Sequence, residues 1–148
     1  FFGMIALKSL REYWESMIGR VDGLKSVVPL TIEANMADKV GKTPESSTPT
    51  LFYLPPTAEG KGNADAFGEE NMCVIFVMQK YNPRTSTSAD VLEAVQPVIE
   101  ALKAKMIEDS RRPCHFLKVD NSTISTLPET EFFGNWAGWS IGFTTKSY

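Results

Sequence analysis

The sequence is short of the residues that mark chemistry. Among its 148 residues there is one histidine, His115, and there are two cysteines, Cys73 and Cys114. Cysteines this far apart make neither a CxxC pair nor a disulfide framework. The apolar run around Cys73 favours a buried thiol acting as a small hydrophobe over a bridge to Cys114, and a reducing compartment fits. A zinc site at Cys114-His115 needs two more ligands at a recognisable spacing, and the sequence supplies none. No serine elbow or oxyanion loop accompanies His115, which reads as a residue at a strand edge. Carboxylates are scattered, with no pair singled out for acid–base work. The expectation is a protein that is not an enzyme and uses no metal or cofactor.

Long apolar runs and blocks of one charge are also missing. No stretch approaches the roughly 18 apolar residues of a membrane span. Residues 1–7 are apolar but have no basic segment before them, and Lys8 and Arg11 break the apolar run directly beyond, so they are not read as a signal peptide. Without such a signal, Asn121-Ser-Thr123 is a coincidental match to a glycosylation acceptor. Fifteen basic against eighteen acidic residues leave a net charge of −3, and Arg111-Arg112 is the one adjacent basic pair. That balance argues against a sequence-independent nucleic-acid binder. Gly41-Lys42-Thr43 looks like the end of a phosphate-binding loop, but its first glycine position holds Met36, and Pro44-Glu-Ser-Ser stands where a helix should begin. It reads as a polar loop.

What is present is an ordinary globular composition, 43% apolar and 22% charged, in a chain long enough for one sizeable core. A single domain over 1–148 is expected. Leu7, Leu10, Trp14, Met17 and Val21 recur at helical spacing with Ile18 beside them, which predicts an amphipathic helix ending near the Asp22-Gly23 turn. Val27-Val-Pro-Leu-Thr-Ile32 is β-prone, with Pro29 consigning it to an edge or a bulge. Thr50-Leu-Phe-Tyr-Leu54 predicts a short strand closed by Pro55-Pro56. Residues 35–49 and 55–69 lack periodicity and read as exposed loops. Loops of that length usually serve binding or assembly.

The centre of the chain is Met72-Cys-Val-Ile-Phe-Val-Met78, apolar on both alternating faces, which predicts an inner strand covered on both sides. Val77 should be dry and Gln79 near a rim. After Tyr81-Asn-Pro-Arg84 a second helix starts at Thr87 or Ser88, where Thr87 and Asp90 resemble a capping box. Val91, Leu92, Val95, Ile99, Leu102 and Met106 form its stripe. Pro97 implies a kink or two short helices, and Arg111-Arg112 suits the negative end of the dipole. Strands are expected at 114–119 and 122–127 about an Asp120-Asn121 turn, with 128–135 a connector. Trp136 to Lys146 alternates and reads as a half-covered strand. The aromatic group Phe132, Phe133, Trp136 and Trp139 lacks basic neighbours, so core or subunit-interface packing is read there in place of base stacking. The fold class is α+β: a mixed, mainly antiparallel sheet with two main helices packed on it.

Thr48-Pro-Thr-Leu-Phe-Tyr-Leu54, the strand in residues 71–83, the helix at 89–107 with its internal Pro97-Val-Ile99, and Trp139-Ser-Ile-Gly-Phe-Thr-Thr145 together resemble, in order and pattern, the tail-terminator family of long-tailed bacteriophages. The resemblance spans about 7–146. The length of the 55–69 loop and the extra strand near Asn121 depart from the family pattern and also suit a neck or head–tail joining relative. The resemblance implies a virion protein that forms a ring, commonly six-fold, on the tail tube. It implies the tube protein and the head connector or neck protein as partners, and DNA passing through the lumen without specific binding. A mildly acidic chain suits such a conduit. The candidate assembly residues are Lys42, Glu45, Glu59, Lys61, Asp65, Phe67, Glu69, Arg84 and Trp136. The competing reading is a small α+β binding module that uses the two loops for a protein or small-molecule partner.

Overall fold

Residues 5–30, 48–61, 68–132 and 135–147 are described, from a computed structural model of the protein. A six-stranded mixed sheet carries two main helices, an α+β fold. The strands are β1 (Ser26–Pro29), β2 (Thr50–Tyr53), β3 (Thr57–Lys61), β4 (Gly68–Lys80), β5 (Ser125–Phe132) and β6 (Trp136–Ser147). Their order is β1-β2-β4-β6-β5, with β3 also paired to β4. Among the described strands only β1 and β2 run parallel. A parallel pair needs a crossover connection; its residues 31–47, where most of the first expected loop falls, lie outside the described residues.

Helices α1 (Leu7–Ser16) and α2 (Ser88–Ser110) cover one sheet face. Leu10, Trp14, Met17 and Val21 are buried as their spacing predicts, but Leu7 and Ile18 are exposed, and Tyr13 takes a place in the core. The helical turn runs on as a 3-10 segment, Met17–Gly19, before Gly23 reverses the chain at φ 90°, a value that L side chains adopt rarely. The expected α2 stripe is buried except for Leu92, which is half-buried. The helix begins with a complete capping box, since Thr87 N–H donates to Asp90 Oδ2 at 3.1 Å and Asp90 N–H to Thr87 Oγ1 at 3.2 Å. It is continuous through Pro97, whose ring faces solvent. The missing N–H costs one bond to the preceding turn, and the buried stripe on the other side holds the helix together. Facing it from the sheet are Cys73, Ile75, Val77, Ile141 and Phe143. Each such fully buried side chain contributes about 1.5–3 kcal/mol.

The other sheet face differs from the expected two-sided burial. A second cluster of Leu30, Phe52, Met78 and Trp136 covers one end of it, with Val28, Leu54 and Phe76 packed alongside. Val77 is dry and Gln79 half-buried, but Met72 is 53% exposed. Apolar character in a strand records a preference for burial; it does not supply the layer that provides it.

Three local expectations also change. Residues 57–61 are strand β3, not loop, because β4 runs past the end of β2 and leaves an unpaired edge that β3 fills, from Thr57↔Met72 to Lys61↔Gly68. Residues 114–118 are irregular, and Val119 makes a single bridge to Thr145. At Asp120-Asn121 the carboxylate accepts from Ser122 N–H and Oγ, closing a 3-10 turn at Asn121–Thr123 where a hairpin was expected. β5 then continues through Pro128 to Phe132, which is tolerated because this edge strand pairs only with β6.

β4 and β6 approach closely at Gly138. A Cβ there would collide with the Val77 carbonyl oxygen and stand 2.9 Å from Met78 Cα, whereas at Gly142 it would meet nothing within 4 Å. Gly138→Ala is expected to cost about 3 kcal/mol, the upper end for overpacking. Gly142→Ala should stay within about 0.5 kcal/mol of wild type. Urea denaturation of the two variants checks this pair.

Candidate functional site

Of the candidate assembly residues, Lys42, Glu45, Asp65 and Phe67 lie outside the described residues. Glu59 and Lys61 sit on β3, and Glu69 on β4 opposite Gly60. Arg84 is exposed in the turn after β4, its N–H donating to Asn82 Oδ1 at 3.0 Å. Trp136 is interior, 3% exposed, with its ring edge-to-face on Phe52 at 5.2 Å. Such a pair contributes about 0.5–1.5 kcal/mol beyond area. It anchors the second cluster inside the protomer. Of the described ones, Glu59, Lys61 and Glu69 share the β3 end of β4, and Arg84 and Trp136 lie toward its other end.

Two other surfaces stand out. The first is the uncovered part of the sheet opposite the helices. There β4 presents Met72 and Val74, with Phe76 at the boundary where it packs on the second cluster, β6 presents Thr144, Gly142 and Ser140, and β5 presents Ser125 and Leu127, in register across three strands. Leu127 is 55% exposed; Val74 and Phe76 are half-buried. Ser140 Oγ donates to Glu129 Oε1 at 3.0 Å, which ties a carboxylate down at the margin. Large apolar side chains exposed together on one sheet face mark an interaction surface.

The second surface lies on the helix side, beyond the C-terminus of α2. Phe116, 43% exposed, stacks on His115 at 5.1 Å, and Tyr13 meets both rings edge-on. Arg111 and Arg112 are exposed beside it, and Lys118 Nζ donates to the Ser110 and Arg112 carbonyls that end the helix. His115 Nδ1 accepts from Leu117 N–H, which holds the ring in place.

Beneath this surface is a buried carboxylate. Arg20 grips Asp109 with two bonds, Nη1 to Oδ2 at 2.8 Å and Nη2 to Oδ1 at 2.7 Å, and Tyr13 Oη donates to Oδ2 at 2.8 Å. The Arg20 guanidinium holds the Asp109 carboxyl below its ordinary value, against the opposing effect of burial. Burial, then the bond to Asp109, pushes the Tyr13 phenol up. Desolvation pushes the Cys73 thiol up to about 12, so it stays protonated and inert. The buried Cys73 was expected; the Tyr13, Arg20 and Asp109 cluster was not. The available signal was that Asp109 continues the apolar stripe of Leu102 and Met106 at helical spacing, where a carboxylate needs a partner.

Among the described residues no three His, Cys, Asp or Glu side chains gather to hold a metal ion. No helix among them is long and apolar enough to cross a membrane. No protein-family model matches the chain, and no curated protein matches it significantly.

Because its folded-state pKa is lowered, Asp109 contributes stability that is present above the ordinary carboxylate pKa of about 4 and lost as pH falls through the folded value. Arg20→Ala leaves that charge with Tyr13 and the looser Arg112 contact and is expected to cost about 3 kcal/mol at pH 7. The gap from wild type should begin to narrow only below the ordinary carboxylate pKa of about 4 and close as pH falls through the lowered folded value of Asp109. Thermal melts of the pair from pH 2 to 7, within about those limits, measure it.

Proposed function

We propose that the protein is a structural subunit of a bacteriophage virion. It forms a ring at the end of the tail tube, stops polymerisation of the tube and joins the tail to the head connector. One observation carries this reading: a sheet closed by helices on one face and left partly open on the other, with Met72, Val74 and Leu127 in the open part. A protomer whose sheet lacks part of its cover gains from a neighbour that completes it. The α+β architecture, with a mainly antiparallel sheet and two main helices, agrees with what the resemblance to tail terminators implies.

On this reading the partners are further copies of the chain, six in the commonest ring, together with the tube protein and the connector or neck protein. The ring assembles in the host cytoplasm and resides in the virion at the tail–neck junction. DNA passes the lumen without being gripped, as a net charge of −3 favours. The protein works by occupying a surface, with no catalysis and no cofactor.

Light scattering and negative-stain microscopy across a wide concentration range should show rings, alone or with tube protein. Monomers under all these conditions would sink the reading.

A further inference from the structure

The two exposed apolar surfaces lie on opposite sides of the protomer, with the sheet and the helix layer between them, so they cannot meet within one chain. They also differ in kind. The sheet surface sets Met72, Val74 and Leu127 beside the small side chains of Thr144, Ser140 and Ser125. Gly142 lies between its β4 and β5 walls, and a Cβ there would meet open space. Its register positions carry Glu59, Glu70 and Glu129 against Lys80 and Lys146. The helix-side surface projects one aromatic ring, Phe116, within a basic border of Arg111, Arg112 and Lys118. The carboxylate nearest that border, Asp109, is buried and held by Arg20, with Arg112 Nη2 at 3.7 Å as a second partner, which leaves Arg111 the outward cation.

Resting on the ring reading above, we infer that these surfaces are the two halves of one joint: the Phe116 surface of one copy seats on the open sheet face of the next. The aromatic ring enters the space over Gly142, between Val74 and Ser125 and diagonal to Leu127. Arg111 approaches the acidic side of the margin at Glu70, which orients the approach and disfavours two sheet faces pairing with each other. Contact between unlike surfaces on opposite sides is head-to-tail, and such a contact closes into a ring when its rotation permits.

Complementary variants test the joint. Met72→Asp/Leu127→Asp spoils the sheet surface, and Phe116→Asp/Arg111→Glu spoils the other; all four positions are exposed. Gly142→Glu fills the seat without altering an apolar residue, which guards against a loss of folding in the first variant. In sedimentation, wild type is expected as a multimer and each variant alone at the protomer mass. An equimolar mixture of the two kinds should give a species of twice that mass and nothing larger, since each pair retains one intact joint. A sheet-face variant that is monomeric beside a Phe116 variant that still dimerises would overturn the joint in favour of face-to-face pairing. Monomeric variants that do not pair on mixing would also overturn it. Multimers from every variant would overturn it while leaving the ring reading in place. A wild type that stays monomeric even with tube protein removes the ring reading, and the joint with it.

Discussion

Strand β4 is the constraint on which the other strands depend. Its thirteen residues carry β3 and β2 in succession along one edge and β6 along the other, from Glu69↔Ser147 to Lys80↔Trp136. Alternate side chains hold the two clusters apart: Cys73, Ile75 and Val77 in the main core, Met78 in the smaller one. A slip of one residue would exchange the two faces and empty both clusters. The contact at Gly138, where β6 lies against the Val77 carbonyl, works against such a slip, because only glycine fits there. The neighbouring Trp139 donates its indole N–H to the Leu92 carbonyl at 3.0 Å, which fixes β6 to α2.

The second tie joins helix to helix. Asp109 lies in the last turn of α2, the wrong end of the dipole for a carboxylate. Burial there is tolerable because Arg20 and Tyr13, from the α1 region, satisfy both oxygens. The same arrangement positions Tyr13 so that its ring backs His115 and Phe116. A core interaction thus shapes a surface: the exposed aromatic stands on a phenol whose hydroxyl is anchored inside.

The protomer is therefore unequal on its two sides. The helix layer ends in a basic, aromatic margin, while among the described residues the opposite face is covered only around Leu30, Phe52, Met78 and Trp136. Isolated apolar residues on a surface are ordinary. Here, however, Met72, Val74, Phe76 and Leu127 lie in register on one sheet, and that arrangement motivates an assembly reading over a catalytic one.

Local pattern alone determined the helices, most of the strands and the fold class. Helical spacing marked Leu10, Trp14, Met17 and the α2 stripe, Thr87 with Asp90 marked the cap, and alternation marked β6. Each of these signals is contained within a few residues. Only the tertiary structure decided what depends on distant partners. The tip of β4 found β3 where a loop was expected, Trp136 turned inward onto Phe52, and Met72 was left uncovered although Cys73, Ile75, Val77 and Met78 of the same run are buried. Asp109 met Arg20 and Tyr13 across 89 and 96 positions of sequence. Hydrophobicity records how strongly a side chain prefers burial, but which layer arrives to bury it is a property of the whole fold, and at the open sheet face no described layer of the same chain arrives.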